Sequence, residues 1–111
     1  MNRQRDIEAE VTFLPTAHGG RRGPVFGDYR PQFYYAGHDW DARHEYPDVS
    51  QVSPGDTARV YLAFLSPGEH VGKLRPGMAF LVREGSKIVA FGSVTRLLDL
   101  EASAARMAGP K

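Results

Sequence analysis

The segment IEAEVTF, residues 7–13, constrains the fold more than any other. Ile7, Ala9, Val11 and Phe13 are apolar, while Glu8, Glu10 and Thr12 between them are polar. A period of two belongs to a strand with one face in the core and one face wet. The same habit recurs along the chain, and helical periodicity is nearly absent. PQFYYA reads as a second strand, opened by Pro31 where a missing N–H donor costs least. ARVYLAFL is apolar at almost every position, the pattern of a strand covered on both faces. MAFLVRE and KIVAFGSVTRLL flank EGSK, a hairpin with glycine at its turn. Gly92 within the last strand marks a bulge or a close backbone approach.

Between these strands lie loops rich in proline and glycine: PTAHGGRRGP, SPGD at 53–56 and SPGEHVGKLRPG. GHDWDARHEYPD reads as a turn and a short edge strand. Parallel pairing requires long crossover connections, and none is available here, so the sheet is expected to be antiparallel. Closing it into a small barrel removes its edges. The expected fold class is therefore all-β, a small closed antiparallel barrel. Positions 7–98 form the single barrel domain, positions 1–6 an N-terminal extension, and positions 99–111 a tail, frayed or a short helix. A chain of 111 residues suits one such domain, burying about two-thirds of its unfolded surface.

The absence of cysteine excludes disulfides and thiolate chemistry. The charged MNRQRDIEAE start is not a signal peptide, and no apolar run approaches the roughly 20 residues of a membrane helix. A cytoplasmic protein without membrane contact is the expectation. The formal net charge of +1 gives no support to a nucleic-acid partner. Charge is uneven, however: Lys73, Arg75, Arg83, Lys87 and Arg96 face only Glu84 in one block, while Asp39, Asp41, Glu45 and Asp48 outnumber Arg43 in another.

GGRRGPVFGDYRPQFYY at 19–35, VSPGD with its following apolar strand, and REGSKIVAFGSVTRLL occur in this order. Together they resemble the C-terminal (third) domain of elongation factor Tu, in register from about Ile7 to Leu98. The resemblance implies a six-stranded antiparallel barrel and a translation-related setting. No G-x-x-x-x-G-K-[ST] loop is present, so no nucleotide cofactor is expected and a GTPase is excluded. The family's domain helps hold the tRNA backbone and contacts protein partners. Its RNA-facing positions correspond to Arg21, Arg30, Gln32, Glu84 and Gly85. Arg22 and Gly23 replace a His and a Thr of the usual motif, Asp41 replaces a Thr, and the Pro67–Arg83 loop is longer than usual.

These residues define the candidate sites. Arg21, Arg22 and Arg30, with Gln32, Glu84 and Gly85, either present a guanidinium surface to an RNA backbone or a protein, or serve the loop itself, Arg30 pairing with a carboxylate such as Asp28. Trp40, flanked by aspartates, is either an interface anchor or a lid over one barrel end, and Tyr34 is a further interface residue. His38, Asp41 and His44 are the only grouping with metal-ligand chemistry, ranked behind an ordinary exposed turn. His18 and His70 stand alone in loops. No nucleophile has a recognisable base, so the expected function is non-enzymatic. A protein partner is preferred to a tRNA-like RNA, and a homo-oligomer remains open.

Overall fold

Six strands close on themselves in the computed structural model, which describes residues 3–109. In chain order the strands are β1 (Ile7–Phe13), β2 (Val25–Phe26), β3 (Gln32–Tyr35), β4 (His38–Glu45), β5 (Gln51–Val52), β6 (Thr57–Phe64), β7 (Ala79–Glu84) and β8 (Lys87–Leu97). Around the barrel the order is β1-β6-β4-β3-β7-β8, and β8 pairs back onto β1. Every pairing is antiparallel. β2 and β5 form a separate two-stranded ladder that carries Val25 and Val52 into the core.

Alternation sets which side chains fill the barrel. Ile7, Ala9, Val11 and Phe13 point inward, as do Phe33 and Tyr35 of β3 and Val60, Leu62 and Phe64 of β6. Phe33 is the hub: it stacks on Phe80 at 4.3 Å between centroids and meets Phe64 edge-on at 5.0 Å. Gly92 explains how Phe80 fits. A Cβ on Gly92 would lie 2.6 Å from the Phe80 ring and 2.7 Å from the Glu10 carbonyl oxygen. Close approach, not a bulge, is therefore the reason for this glycine. The register shifts lie elsewhere, at Glu8/Ala9 and Val82/Arg83.

Two strands differ from expectation. The stretch read as a turn and short edge strand is a full eight-residue strand with neighbours on both sides. Its first half pairs with β3 and its second half with β6. β6 is not covered evenly on both faces: its outward Tyr61 is half-buried, with the guanidinium groups of Arg5 and Arg59 over its ring. The segment before Ile7 is stitched in place. Asp6 is fully buried and accepts the Phe64 N–H, while Leu98 and Asp99 donate backbone N–H groups to the Asp6 and Arg5 carbonyls. Positions 1, 2, 110 and 111 lie outside the described residues.

The tail forms a helix, α1 (Leu100–Ala108), which packs on the 3-10 turn Pro67–Glu69. Nine residues are too few for a helix to persist alone in water, so docking holds it. Leu100 and Ser103 are buried against that turn, as is Pro67 from the other side. The long loop after β6 is pinned from inside by His70, which is fully buried. Its Nδ1 and the Tyr35 hydroxyl form a 2.7 Å hydrogen bond, Phe64 packs on its face, and Trp40 meets it edge-on.

Candidate functional site

Most residues of the expected binding surface come together around the β7–β8 hairpin. Gly85, with φ +61°, and Ser86 form its two-residue turn, a type II′ arrangement that favours glycine first. The Gly19–Arg21 loop lies against this turn. A Cβ on Gly20 would sit 2.0 Å from the Leu14 carbonyl oxygen, so only glycine lets the loop return so closely. Arg21 then forms an ion pair with Glu84, whose same carboxylate oxygen accepts the Tyr29 hydroxyl at 2.5 Å. Arg21 also lies over the Tyr29 ring, 5.2 Å from its centroid. Burial and the neighbouring Glu84 carboxylate push the Tyr29 hydroxyl well above its ordinary pKa. It is a fixed proton donor, not a titrating group.

Gln32 and Tyr34 face outward on β3. Gln32 sits between Asp41 and Arg83, and Tyr34 between Asp39 and Leu81. Arg83 lies over the Tyr34 ring at 4.5 Å and approaches Asp39 at 3.6 Å. Arg22 and Arg30 are exposed and, among the described residues, have no carboxylate within 4 Å. The expected Arg30–Asp28 pair does not form. Asp28 is occupied by Arg3 at 2.5 Å and by Arg43 at 3.7 Å.

The remaining candidates separate. Trp40 turns inward, half-buried against His70 and the core, as a lid would. His38, Asp41 and His44 do not make a metal centre. His38 and His44 share a face of β4, but six residues of strand separate them by roughly 20 Å. Asp41 projects from the opposite face. His44 is buried, hydrogen-bonded through Nδ1 to the Tyr46 hydroxyl at 2.9 Å, and burial depresses its pKa to about 3. Among the described residues no cluster of three or more His, Asp or Glu side chains is placed to hold a metal.

Neither charge block becomes a single patch. Arg96 is committed to Glu8 at 2.7 Å, Arg83 leans on Tyr34, and Lys87 reaches the Gly20 carbonyl. The outer wall of β1 and β6 is a lattice of such pairs, with Arg59 held by Asp48 at 2.8 Å and close to Glu8. The outer wall of β3, β7 and β8 is different. Tyr34, Leu81 and Phe91 stand in one cross-strand row, bordered by Ala36, Met78 and Ala79. They line a shallow groove of about 370 Å³. Phe91 is 48% exposed, and Ile88 beyond it is 42% exposed. Leu81 and Phe91 were not singled out as site residues. Their signal lay in MAFLV and IVAF, where apolar residues occupy both faces of a strand.

The last hairpin of this closed six-stranded antiparallel barrel carries a glycine-hinged arginine loop packed against it. A family model described as the elongation factor Tu C-terminal domain matches residues 1–98, and the chain belongs to that family. The family is a non-catalytic domain of translation factors. Beyond the matched residues, the chain adds α1. No helix among the described residues is long and apolar enough to cross a membrane.

Proposed function

We propose that this chain is a non-enzymatic binding module acting in the cytoplasm in a translation-related context, and that its ligand is a protein held on the outer wall of β3, β7 and β8. The observation that carries this reading is the apolar row Tyr34–Leu81–Phe91, in contrast to the outer wall of β1 and β6, which is crossed by ion pairs. Exposed aromatic and aliphatic side chains grouped in a groove are the chemistry of a protein interface. The polar surface supports RNA less well. Arg21 is neutralised by Glu84, and Asp39 and Asp41 project from the strand beside Gln32, where a phosphate backbone would have to lie.

A second reading, weak shape-specific contact with an RNA backbone, draws on the two exposed arginines, Arg22 and Arg30. One experiment separates the two. Immobilised protein is exposed to lysate with and without nuclease, alongside Leu81→Asp and Arg30→Ala variants. The protein reading expects a nuclease-resistant partner that Leu81→Asp loses and Arg30→Ala keeps. Nuclease-sensitive capture lost by Arg30→Ala, with a salt slope lowered by about one unit, would replace it with the RNA reading.

A further inference from the structure

We infer that the slot between β5 and the first half of β6 takes a short extended segment of a partner protein as an added strand, with an aliphatic side chain turned inward and a Lys or Arg two residues after it. The site is distinct from the wall of β3, β7 and β8: β6 lies three strands from β7 in either direction round the barrel.

The ring of strands is closed, but its β4–β6 seam is short. β1 pairs with β6 from Ile7↔Leu62 to Thr12↔Thr57, whereas β4 meets β6 only from Ala42↔Phe64 to Glu45↔Tyr61. The stretch from Thr57 to Val60 therefore has a strand on one side only. The sequence gives the reason. Two residues further in the same register, Pro47 would face Arg59, and proline has no N–H to donate. The chain then leaves β6 through Asp48 and Val49 to reach β5, whose only strand neighbour is β2.

Backbone polarity follows from the pairing. Successive residues of an antiparallel strand turn their N–H and C=O groups to opposite sides. The Asp56 and Leu62 carbonyls accept the N–H groups of Phe13 and Asp6 on the β1 side, so the even-numbered residues between them face β1. Thr57 and Arg59 then face the slot. The 2.7 Å contact between the Thr12 and Thr57 hydroxyls fits this, because side chains come closest in a pair that exchanges no backbone hydrogen bonds. Neither the N–H nor the C=O of Thr57 or Arg59 has a protein partner among the described residues, and both residues are exposed. Two donors and two acceptors in a row at strand spacing are a template that another strand completes.

The slot also selects its occupant. Its volume of about 240 Å³ falls below the roughly 300–1,000 Å³ of pockets that take small molecules. Ala58 and Val52, both packed on the core, form its floor, and Val49, 49% exposed, forms an apolar lip. An added residue opposite Ala58 turns its side chain the same way as Ala58, so an aliphatic one covers that floor. Charge fixes the direction. Arg59 is held by both Asp48 oxygens, at 3.0 and 2.8 Å, which leaves Asp56 as the slot's carboxylate with no cation within 4 Å among the described residues. In antiparallel addition Asp56 lies beyond Thr57 at the C-terminal end of the segment, two residues past the aliphatic position, and a Lys or Arg belongs there. A second copy of the chain is not the occupant. Its own Thr57–Arg59 edge lies behind its own Asp48–Val52 wall, so two such edges cannot reach the roughly 4.8 Å separation of paired strands.

The test is amide hydrogen exchange and an NMR titration on the isotope-labelled full chain. The probe is a capped synthetic peptide of sequence STVTKS. Controls are the same peptide N-methylated on the two threonines flanking valine, whose N–H groups would meet β6, and a version with lysine replaced by glutamate. In the free chain the amides of Thr57 and Arg59 should exchange at least tenfold faster than those of Ala58 and Val60. The parent peptide should shift and protect those two amides, and both controls should bind about tenfold or more weakly. Thr57→Pro removes a donor that β1 does not use and should weaken binding as much, its fold being checked by the dispersion of the same spectrum. Asp56→Asn should abolish the preference for lysine over glutamate.

Four uniformly protected amides in the free chain overturn the inference, because the edge is then not open. Equal binding of the N-methylated peptide, absence of binding by the parent peptide, or a response mapping to another face overturns it as well. Protection of Thr57 and Arg59 that rises with protein concentration would give the edge to a second copy and overturns it too.

Discussion

Replacing Gly92 by alanine is expected to be the most informative single change in the barrel. The added methyl would lie 2.6 Å from Phe80 Cζ and 2.7 Å from the Glu10 carbonyl oxygen, where ordinary contacts are 3.4–4 Å. Something must move by about 1 Å. Phe80 is stacked on Phe33 at 4.3 Å and cannot tilt freely. Glu10 belongs to the β1 backbone, in register beside β8, so its retreat opens the seam that closes the barrel. Overpacking of this kind costs about 1–3 kcal/mol. With roughly 4–8 °C per kcal/mol for a domain near this size, Tm should fall by about 10 °C. The assay is urea unfolding of Gly92→Ala, Phe80→Leu and the double variant. The cost of Phe80→Leu should shrink in the Gly92→Ala background, because a smaller side chain relieves one of the two clashes. It should not vanish, because Glu10 remains. Gly23→Ala, where nothing lies within 4 Å of the new Cβ, is the control and should stay within about 0.5 kcal/mol of the parent. Loss of less than 0.5 kcal/mol in Gly92→Ala, or strict additivity, would refute the packing argument.

Acid should weaken the fold before the carboxylates titrate. Burial depresses His70 to about 4 and His44 to about 3, both below the ordinary value of 6.5. The unfolded chain therefore takes up protons first: stability present above pH 6.5 is lost as pH falls, by up to about 2 kcal/mol per histidine between pH 7 and 5. The double variant His70→Phe/Tyr35→Phe, which removes both hydrogen-bond partners, should show about half that slope in urea melts at stepped pH. Ala36 has φ +51° beside Gly37 at +82°, a turn with both central residues left-handed. Ala36→Asn should raise the urea midpoint by the equivalent of about 0.5–1 kcal/mol, because asparagine tolerates that region better. Ending the chain at Asp99 should leave the barrel folded but lower Tm, since Pro67 and Leu74 lose cover; an unchanged melt would show that α1 contributes nothing.

How much of this was legible in the residues depended on what faces inward. β1 declared itself because every inward position is aliphatic or aromatic. β4 did not, because its inward side chains are Trp40, Ala42 and His44, while its outward ones, Asp39, Asp41, Arg43 and Glu45, are all charged. Polarity there comes from the wet face of a strand that is internal to the sheet. His70 looked like a solitary loop residue, yet it is the pin of that loop; its partner Tyr35 is 35 positions away, and local pattern carries no trace of such a contact. The same holds for the site. That Gly85 sits in a hairpin turn follows from EGSK alone, whereas the Arg21–Glu84 pair joins residues 63 positions apart. The apolar row needs the register of three strands before Tyr34, Leu81 and Phe91 become neighbours.

The stitching of Leu98 and Asp99 onto Asp6 and Arg5 sets the points where the chain enters and leaves the barrel side by side. A polypeptide entering and leaving at one point can be spliced into the surface turn of a larger host without stretching either body. The same geometry makes the molecule soft to tension. A pull on the two ends would load the β1–β8 seam one hydrogen bond at a time, so it would peel open under forces that a sheared pair of strands would withstand.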